Sequence, residues 1–345
     1  MNPPRHILVA RTDKMGDLLL SLPVFQTLRK AFPKARLTAL VSPYVKEIVQ
    51  GHPAVDAVET VEKGENLFRL AARFKKLDAD AFLALYPRPS QALAAWWAGI
   101  PLRIGTAYRW YGFSFNQKVK VHRSHADRHE VEFNLDLVKS LGVTQMEKEI
   151  RFPLNEEDRS FARDLLKEKG IPPRIPYVAV HPGHRGSALN WKPEHYAEIT
   201  GKLCQMGIRV ILTAGPEETA LISRVTTHLP NLSTEQKPVL LIGECTLRQL
   251  AAVYEKAVCF LSGSTGTMHL AASVGTPTVS LFCPIPETTP IRWGPWGNPS
   301  TIFLPQGLEC PDCQKGRCSR HDPMDAIKVD EVYQAMEKYI KKRSK

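Results

Sequence analysis

Residues 259–284 constrain the possible folds of this chain more than any other stretch. They read as strand, tight turn, helix, turn, strand. Residues 258–261 form an apolar run of strand length. Ser262, Gly263, Ser264, Thr265 and Gly266 make a turn of small residues, and Met268, Leu270, Ala271, Ala272 and Val274 are suited to a buried helix. Gly275-Thr276-Pro277 stops that helix, and residues 278–282 are a second buried strand. A turn of this kind brings free backbone N–H groups and the positive end of a helix dipole to the carboxyl end of a strand. That arrangement favours an anion such as a phosphate. Gly263 and Gly266 carry no Cβ, so a ligand can approach their backbone closely. His269 falls in the first helical turn, where it can donate to an oxygen. A plain βαβ packing turn has the same pattern, and chemistry alone leaves both readings open.

The rest of the chain repeats the alternation. Strands are expected at 7–11, 37–41, 54–60, 80–85 and 102–104, with helices at 18–31, 44–49, 67–77, 91–98 and 130–140 between and after them. Residues 142–154 are polar and aperiodic and read as a linker. A helix at 155–169 follows, then strands at 177–180, 209–213, 239–242 and 301–304, with helices from 193, at 247–256 and at 329–340. Regular alternation predicts an α/β chain with parallel, doubly wound sheets. At 345 residues, 43% of them apolar, two domains can each bury a core.

The formal charge is +11, but Lys and Arg are spread along the chain and no helix-turn-helix, zinc-finger or RNP pattern occurs, so nucleic acid is not the expected partner. No run reaches the roughly 18 apolar residues of a membrane span. The first residues lead straight into a short apolar strand, unlike a signal peptide. Isolated Cys204, Cys245 and Cys259 suit a reducing compartment. A soluble, cytoplasmic protein is expected. The opening βαβ unit lacks G-x-G-x-x-G, which weighs against a nicotinamide cofactor.

Several residues could carry chemistry. Asp17, at the first strand-to-helix junction, reads either as a first-turn or capping acid, worth about 1 kcal/mol, or as a general base. Asp13 reads as loop. Gly183, His184, Arg185, Gly186 and Ser187 form a second Gly-rich turn with a positive charge and a hydroxyl, a weak phosphate-binding pattern. Glu218, and after it Glu217, lie past a strand end, where a carboxylate can accept ribose hydroxyls or simply stabilise a helix start. Residues 105–121 are aromatic and aperiodic: a binding loop or a packed surface loop. Cys310, Cys313, Cys318 and His321 have the spacing of a Zn²⁺ site, and equally suit reduced packing thiols or a disulfide.

Five short motifs, in order, resemble those of the ADP-heptose:lipopolysaccharide heptosyltransferase family. Met15-Gly16-Asp17 with Leu19, Leu22 and Pro23 is similar to its M-G-D-x-L-x-x-L-P. His181-Pro182-Gly183 with Trp191, Glu194 and Tyr196 is similar to H-P-G…W-x-x-E-x-(F/Y/W). Gly215-Pro216-Glu217-Glu218 resembles G-x-P-x-E, and Thr246-Leu247 with Leu250 resembles (T/S)-L-x-x-L. Residues 264–272, then Gly275-Thr276-Pro277, look like D-T-G-x-x-H-L-A-A…G-x-P. Two departures stand out. Ser264 replaces the family Asp, and Leu189-Asn190 stand where some members carry a phosphate-binding Lys before the Trp.

The resemblance implies the GT-B fold: two Rossmann-like, doubly wound parallel-sheet domains facing across a cleft. Residues 1–153 would bind the acceptor, 154–325 the nucleotide sugar, and 326–345 would form a helix crossing back to the first domain. The implied reaction is inverting, metal-independent transfer of heptose from ADP-heptose to a sugar hydroxyl of the lipopolysaccharide inner core, with no cofactor. Asp17 would be the base. Gly183, Arg185, Ser187, Glu218, Cys245, Ser264, Thr265, Gly266 and His269 would hold the nucleotide sugar, and Lys14, Arg103 and Arg109 anionic groups of the acceptor. The implied partners are ADP-heptose or a similar nucleotide sugar and an anionic lipid-linked oligosaccharide, with peripheral contact at the inner-membrane face. The rivals are a paralogue with another nucleotide sugar or acceptor, a Rossmann-type binding protein or dehydrogenase, and an inactive scaffold.

Overall fold

Near-continuous apolar strands separated by helices can bury both faces only in parallel sheets. The computed structural model, which describes residues 3–186, 188–307, 311–314 and 322–343, contains two such sheets. The chain divides into the units Met1–Pro153 and Leu154–Lys345.

In the first unit the strands are β1 (His6–Arg11), β2 (Arg36–Val41), β3 (Ala57–Thr60), β4 (Ala81–Ala84), β5 (Leu102–Thr106) and β6 (Gln117–Val119). Their order is β3-β2-β1-β4-β5-β6, and every pairing is parallel. β1 is buried along its whole length. Leu8, Phe74, Phe82 and Phe115 share one apolar cluster with the helices Leu67–Leu77 and Pro89–Trp97.

The second unit repeats the winding with β7 (Tyr177–His181), β8 (Arg209–Ala214), β9 (Val239–Ile242), β10 (Phe260–Gly263), β11 (Thr278–Leu281) and β12 (Ser300–Phe303). The order is β12-β11-β10-β7-β8-β9, again parallel throughout. Its core gathers Val180, Tyr196, Leu212, Leu261, Leu281 and Met336. In each sheet the winding reverses once, between β1 and β4 and between β7 and β10. Ligands of open α/β sheets bind beyond the strand ends at such reversals.

Three elements differ from expectation. The helix expected at 18–31 is two, Met15–Leu19 and Leu22–Ala31. Pro23 has no N–H to continue the first, and the Ser21 hydroxyl turns back to donate to the Asp17 carbonyl at 2.8 Å. The stretch 105–121 is not an irregular loop. It holds a 3₁₀ turn, Trp110–Ser114, and the edge strand β6, too short to show a period. The strand expected at 54–60 is confined to Ala57–Thr60, because residues before it turn through Val55 N–H to the His52 carbonyl. The last helix, Val329–Arg343, packs on the helix Pro193–Gln205 and on β11, and Arg343 donates to the Ala257 carbonyl. These contacts lie within the second unit. Ser187, Cys310, Cys318, His321 and the Cys313 side chain lie outside the described residues. Among the described residues no helix is long and apolar enough to cross a membrane.

Candidate functional site

β1 ends on a charge. Arg11 follows the apolar residues 7–10 at the end of the strand, its side chain 2% exposed, and forks to four acceptors. Nε meets Asp13 at 2.8 Å, Nη2 meets Asp17 at 2.6 Å, and Nη1 meets Glu130 and Asn134 at 3.0 Å each. Burial alone would lower the guanidinium pKa; the three carboxylates outweigh it and hold it up. Asp17 lies in the first turn of Met15–Leu19, and Lys14, at the N-cap, makes no side-chain cap. The Asp17 carboxylate is therefore a ligand of Arg11, at 15% exposure. Arg123 adds a second guanidinium to Glu130, at 3.1 Å. Two Arg then face three carboxylates.

This arrangement makes Asp13 more than loop. Burial, then the neighbouring Asp17 charge, push its pKa up to about 7 against the pull of Arg11. A carboxylate raised in the fold contributes stability that is complete below its unfolded pKa of about 4. That contribution is lost as pH rises through the folded value. Denaturation measured across pH 4 to 8 should thus show stability falling from this site, and Asp13→Asn should flatten the slope by about one proton. Identical slopes in the two proteins would remove Asp13 from the network.

In the second unit, β10 runs beside β7 with Ser262 level with His181, so the loops leaving both strands emerge together. After Gly263 the chain enters the helix Gly266–Ser273. Thr265 is its N-cap residue and makes no side-chain cap. Its leading N–H groups point out of the helix beyond the strand end. Ser264, Thr265 and Gly266 are half-buried there, and His269 is buried in the first turn. The Thr267 hydroxyl is buried without a hydrogen-bond partner among the described residues. Gly275, at φ +84°, ends the segment in a left-handed conformation that favours glycine.

Gly263 does not serve as an open approach for a ligand. A Cβ there would strike the Asn190 amide. Asn190 Nδ2 donates to the Pro182 carbonyl at 2.8 Å, and its Oδ1 accepts from Trp191 N–H at 3.0 Å and from the buried Tyr196 hydroxyl at 2.7 Å. The residue standing where some members carry the lysine thus braces its own loop and fills the space beside Gly263. The sequence offered a signal for this only in the departure itself.

Glu218 fills the equivalent space at Gly183, where a Cβ would collide with its carboxylate. The carboxylate accepts from Gly215 N–H at 2.9 Å and lies 3.8 Å from His181 Nε2. His181 Nδ1 meets the Thr213 hydroxyl at 3.0 Å, which meets Tyr254 at 2.8 Å. Burial pushes the His181 imidazole down, Glu218 pulling the other way, so it stands neutral beside the carboxylate. Arg185 adopts a left-handed φ of +43° and lies 3.8 Å from the exposed Glu217. Cys245 is half-buried just before Thr246, which caps the helix Leu247–Lys256 reciprocally with Gln249. Burial raises the Cys245 thiol to about 11, so it stays protonated.

Of the residues expected to meet the acceptor, Lys14 and Arg109 flank short helical turns. Arg103 braces its own segment, donating to the Ser114 carbonyl at 2.7 Å and to the Ile100 carbonyl. One Asp-x-Asp triplet exists, Asp78-Ala79-Asp80. Asp78 is a left-handed helix C-cap, and Asp80 accepts from Arg5 and His6 N–H at the amino end of the sheet. It stands away from the strand ends where ligands bind.

The sequence model of glycosyltransferase family 9 (heptosyltransferase) matches residues 67–322. This chain belongs to that family. It is a glycosyltransferase, and the dehydrogenase, binding-protein and scaffold readings fall with that assignment. It is 26% identical over 297 residues to lipopolysaccharide heptosyltransferase 3 of Escherichia coli K12, covering 81% of this chain and 82% of that one. Among solved structures it superposes on the family 9 glycosyltransferase of Veillonella parvula with a TM-score of 0.86 at 19% identity, covering 98% of both chains. On the ADP-heptose lipopolysaccharide heptosyltransferase II of E. coli the TM-score is 0.80 at 21% identity, covering 99% and 100%. The fold of this family 9 enzyme is therefore GT-B, two Rossmann-like units.

Proposed function

We propose that this family 9 glycosyltransferase moves a heptose from ADP-heptose to a sugar hydroxyl of the lipopolysaccharide inner core, with inversion and without a metal ion. The observation that carries the reading is the uncapped start of the helix Gly266–Ser273 at the reversal of the second sheet. Its N–H groups, with Thr265, Gly266 and His269, take the pyrophosphate. Arg185 and Ser187 complete the phosphate loop, Ser264 borders it, Glu218 accepts the ribose hydroxyls, and the backbone at Cys245 faces the adenine. Asp17 takes the proton of the acceptor hydroxyl. That oxygen attacks the anomeric carbon as the bond to the diphosphate breaks, and a single displacement inverts the centre. Charge grows on the leaving diphosphate, where fixed N–H dipoles lower the barrier by about 3 kcal/mol. Lys14, Arg103 and Arg109 meet an anionic, lipid-linked acceptor, which the excess of basic residues also suits.

The test is calorimetry with ADP, UDP and GDP, followed by transfer assays with ADP-heptose. ADP is expected to bind best, and His269→Ala to weaken it by about 10-fold, the scale of one hydrogen bond to a charged group. Unchanged affinity would remove His269 from the pyrophosphate. Preference for UDP or GDP would favour a paralogue with another donor.

A further inference from the structure

Asp17 has a second acid beside it. The Asp13 and Asp17 side chains are 11% and 15% exposed, and the Arg11 guanidinium binds both, at 2.8 Å and 2.6 Å. The two carboxyl groups also lie in hydrogen-bond contact with each other. Two ionised carboxylates repel at that distance, and neither has a hydrogen to donate. The contact becomes favourable when one proton sits between them. The main chain fixes the partner acid in place. The Asp13 carbonyl accepts from the Ser42 hydroxyl at 3.3 Å and from the Tyr44 hydroxyl, in the 3₁₀ turn Pro43–Val45, at 3.2 Å. The preceding Thr12 hydroxyl accepts from the Gln91 amide at 2.7 Å. Asp13 is thus anchored through its main chain while its carboxylate meets Arg11 and Asp17.

The charges around the pair come from several elements. Glu130 and Asn134, on the helix Glu130–Lys139, take Nη1 of the same Arg11. Arg123, in the turn Arg123–His125, reaches Glu130 at 3.1 Å and Asn134 at 3.0 Å. The Tyr86 ring lies 5.8 Å from Arg11, with Arg88 over it at 4.8 Å, and Lys14 is exposed. Within this network the two guanidinium groups of Arg11 and Arg123 face the three carboxylates of Asp13, Asp17 and Glu130, so one negative charge is left over. Glu130 has both guanidinium groups, whereas Asp13 and Asp17 share one. A single proton on the pair restores the balance.

We propose that Asp13 is a positioning residue for the base, joined to Asp17 in a carboxyl–carboxylate pair that stores the proton taken from the acceptor. The inference rests on Asp17 being that base, as proposed above. The acceptor hydroxyl gives its proton to Asp17, its oxygen bonds to the anomeric carbon, and the electron pair of the broken bond leaves with the diphosphate. The proton then lodges between Asp17 and Asp13, as in other carboxylates that share a site, and passes to water when the pair ionises again. Burial, then the Asp17 charge, place the titration of Asp13 at about 7. Above that pH the pair is empty and can receive a proton. Below it the place is already taken.

The test is the pH profile of kcat/KM in transfer assays, which reports groups of the free enzyme. The unaltered enzyme should lose rate as pH falls through about 7. Asp13→Asn cannot ionise, and its amide donates to Asp17 as a protonated Asp13 would. This variant should be about 10-fold slower at about pH 8 and show no step near neutrality. Asp13→Glu, which keeps an acid in the pair, should restore a step. A purely structural Asp13 would lower the rate equally at every pH. Independently of turnover, carboxyl-carbon NMR of protein labelled in aspartate should show Asp13 titrating near neutrality, with the Asp17 resonance moving at the same pH. Either variant assigns the signal, so the measurement on the unaltered protein stands if Asp13→Asn does not fold. Parallel profiles for Asp13→Asn and the unaltered enzyme, or an Asp13 resonance that is constant between about pH 5 and 9, would overturn the proposal. Full activity in Asp17→Ala would overturn the base reading instead, and the common titration would persist in the spectrum.

Discussion

Asp17→Ala should fold normally and lose turnover by more than about 100-fold, the scale of a lost general base. The fold is expected to survive because Arg11 retains Asp13 and Glu130. The loss should appear in kcat, with ADP affinity unchanged, since Asp17 belongs to the unit that does not carry the proposed nucleotide turn. Asp17→Asn, which keeps the shape and an acceptor for Arg11, should lose nearly as much, because an amide cannot take the proton. Full activity in either variant would return Asp17 to an acid of the first helical turn.

The largest effect on stability is expected at Arg11. Arg11→Leu removes the one group that holds Asp13, Asp17 and Glu130 together, leaving the Asp13 and Asp17 carboxylates without that guanidinium and Glu130 with Arg123. Breaking such a pair costs about 3–5 kcal/mol. Arg11→Lys should recover little of this, since one ammonium cannot reach four acceptors spread around a planar fork. The penalty should shrink in acid, where the stranded carboxylates take up protons. Chemical denaturation of the variants at neutral and acid pH measures both claims. A variant as stable as the parent would show that these charges do not hold the first unit together.

Much of this was legible in the residues. The alternation of apolar runs with helical spacing implied parallel sheets, and two series of them were visible on either side of an aperiodic segment. The turn at 262–266 and the helix stop at Gly275 were readable because glycine and proline act locally. β6 was not readable, since three residues at a sheet edge show no period. The break between Leu19 and Leu22 was hidden because the apolar spacing runs through it, although Pro23 marked the place.

The site divides in the same way. Periodicity and punctuation along the chain determined which segments are strands and which helices, which turns carry small residues, and where Asp17 and His269 sit in their helices, since each depends on neighbours a few positions away. Only the tertiary structure decided that Arg11 meets Glu130, 119 positions on. It also decided that Asn190 occupies the space beside Gly263, that Glu218 lies against Gly183, and that Trp96 and Trp97 face solvent. These contacts depend on strand order and on which face each helix turns to the sheet, and local pattern does not encode either.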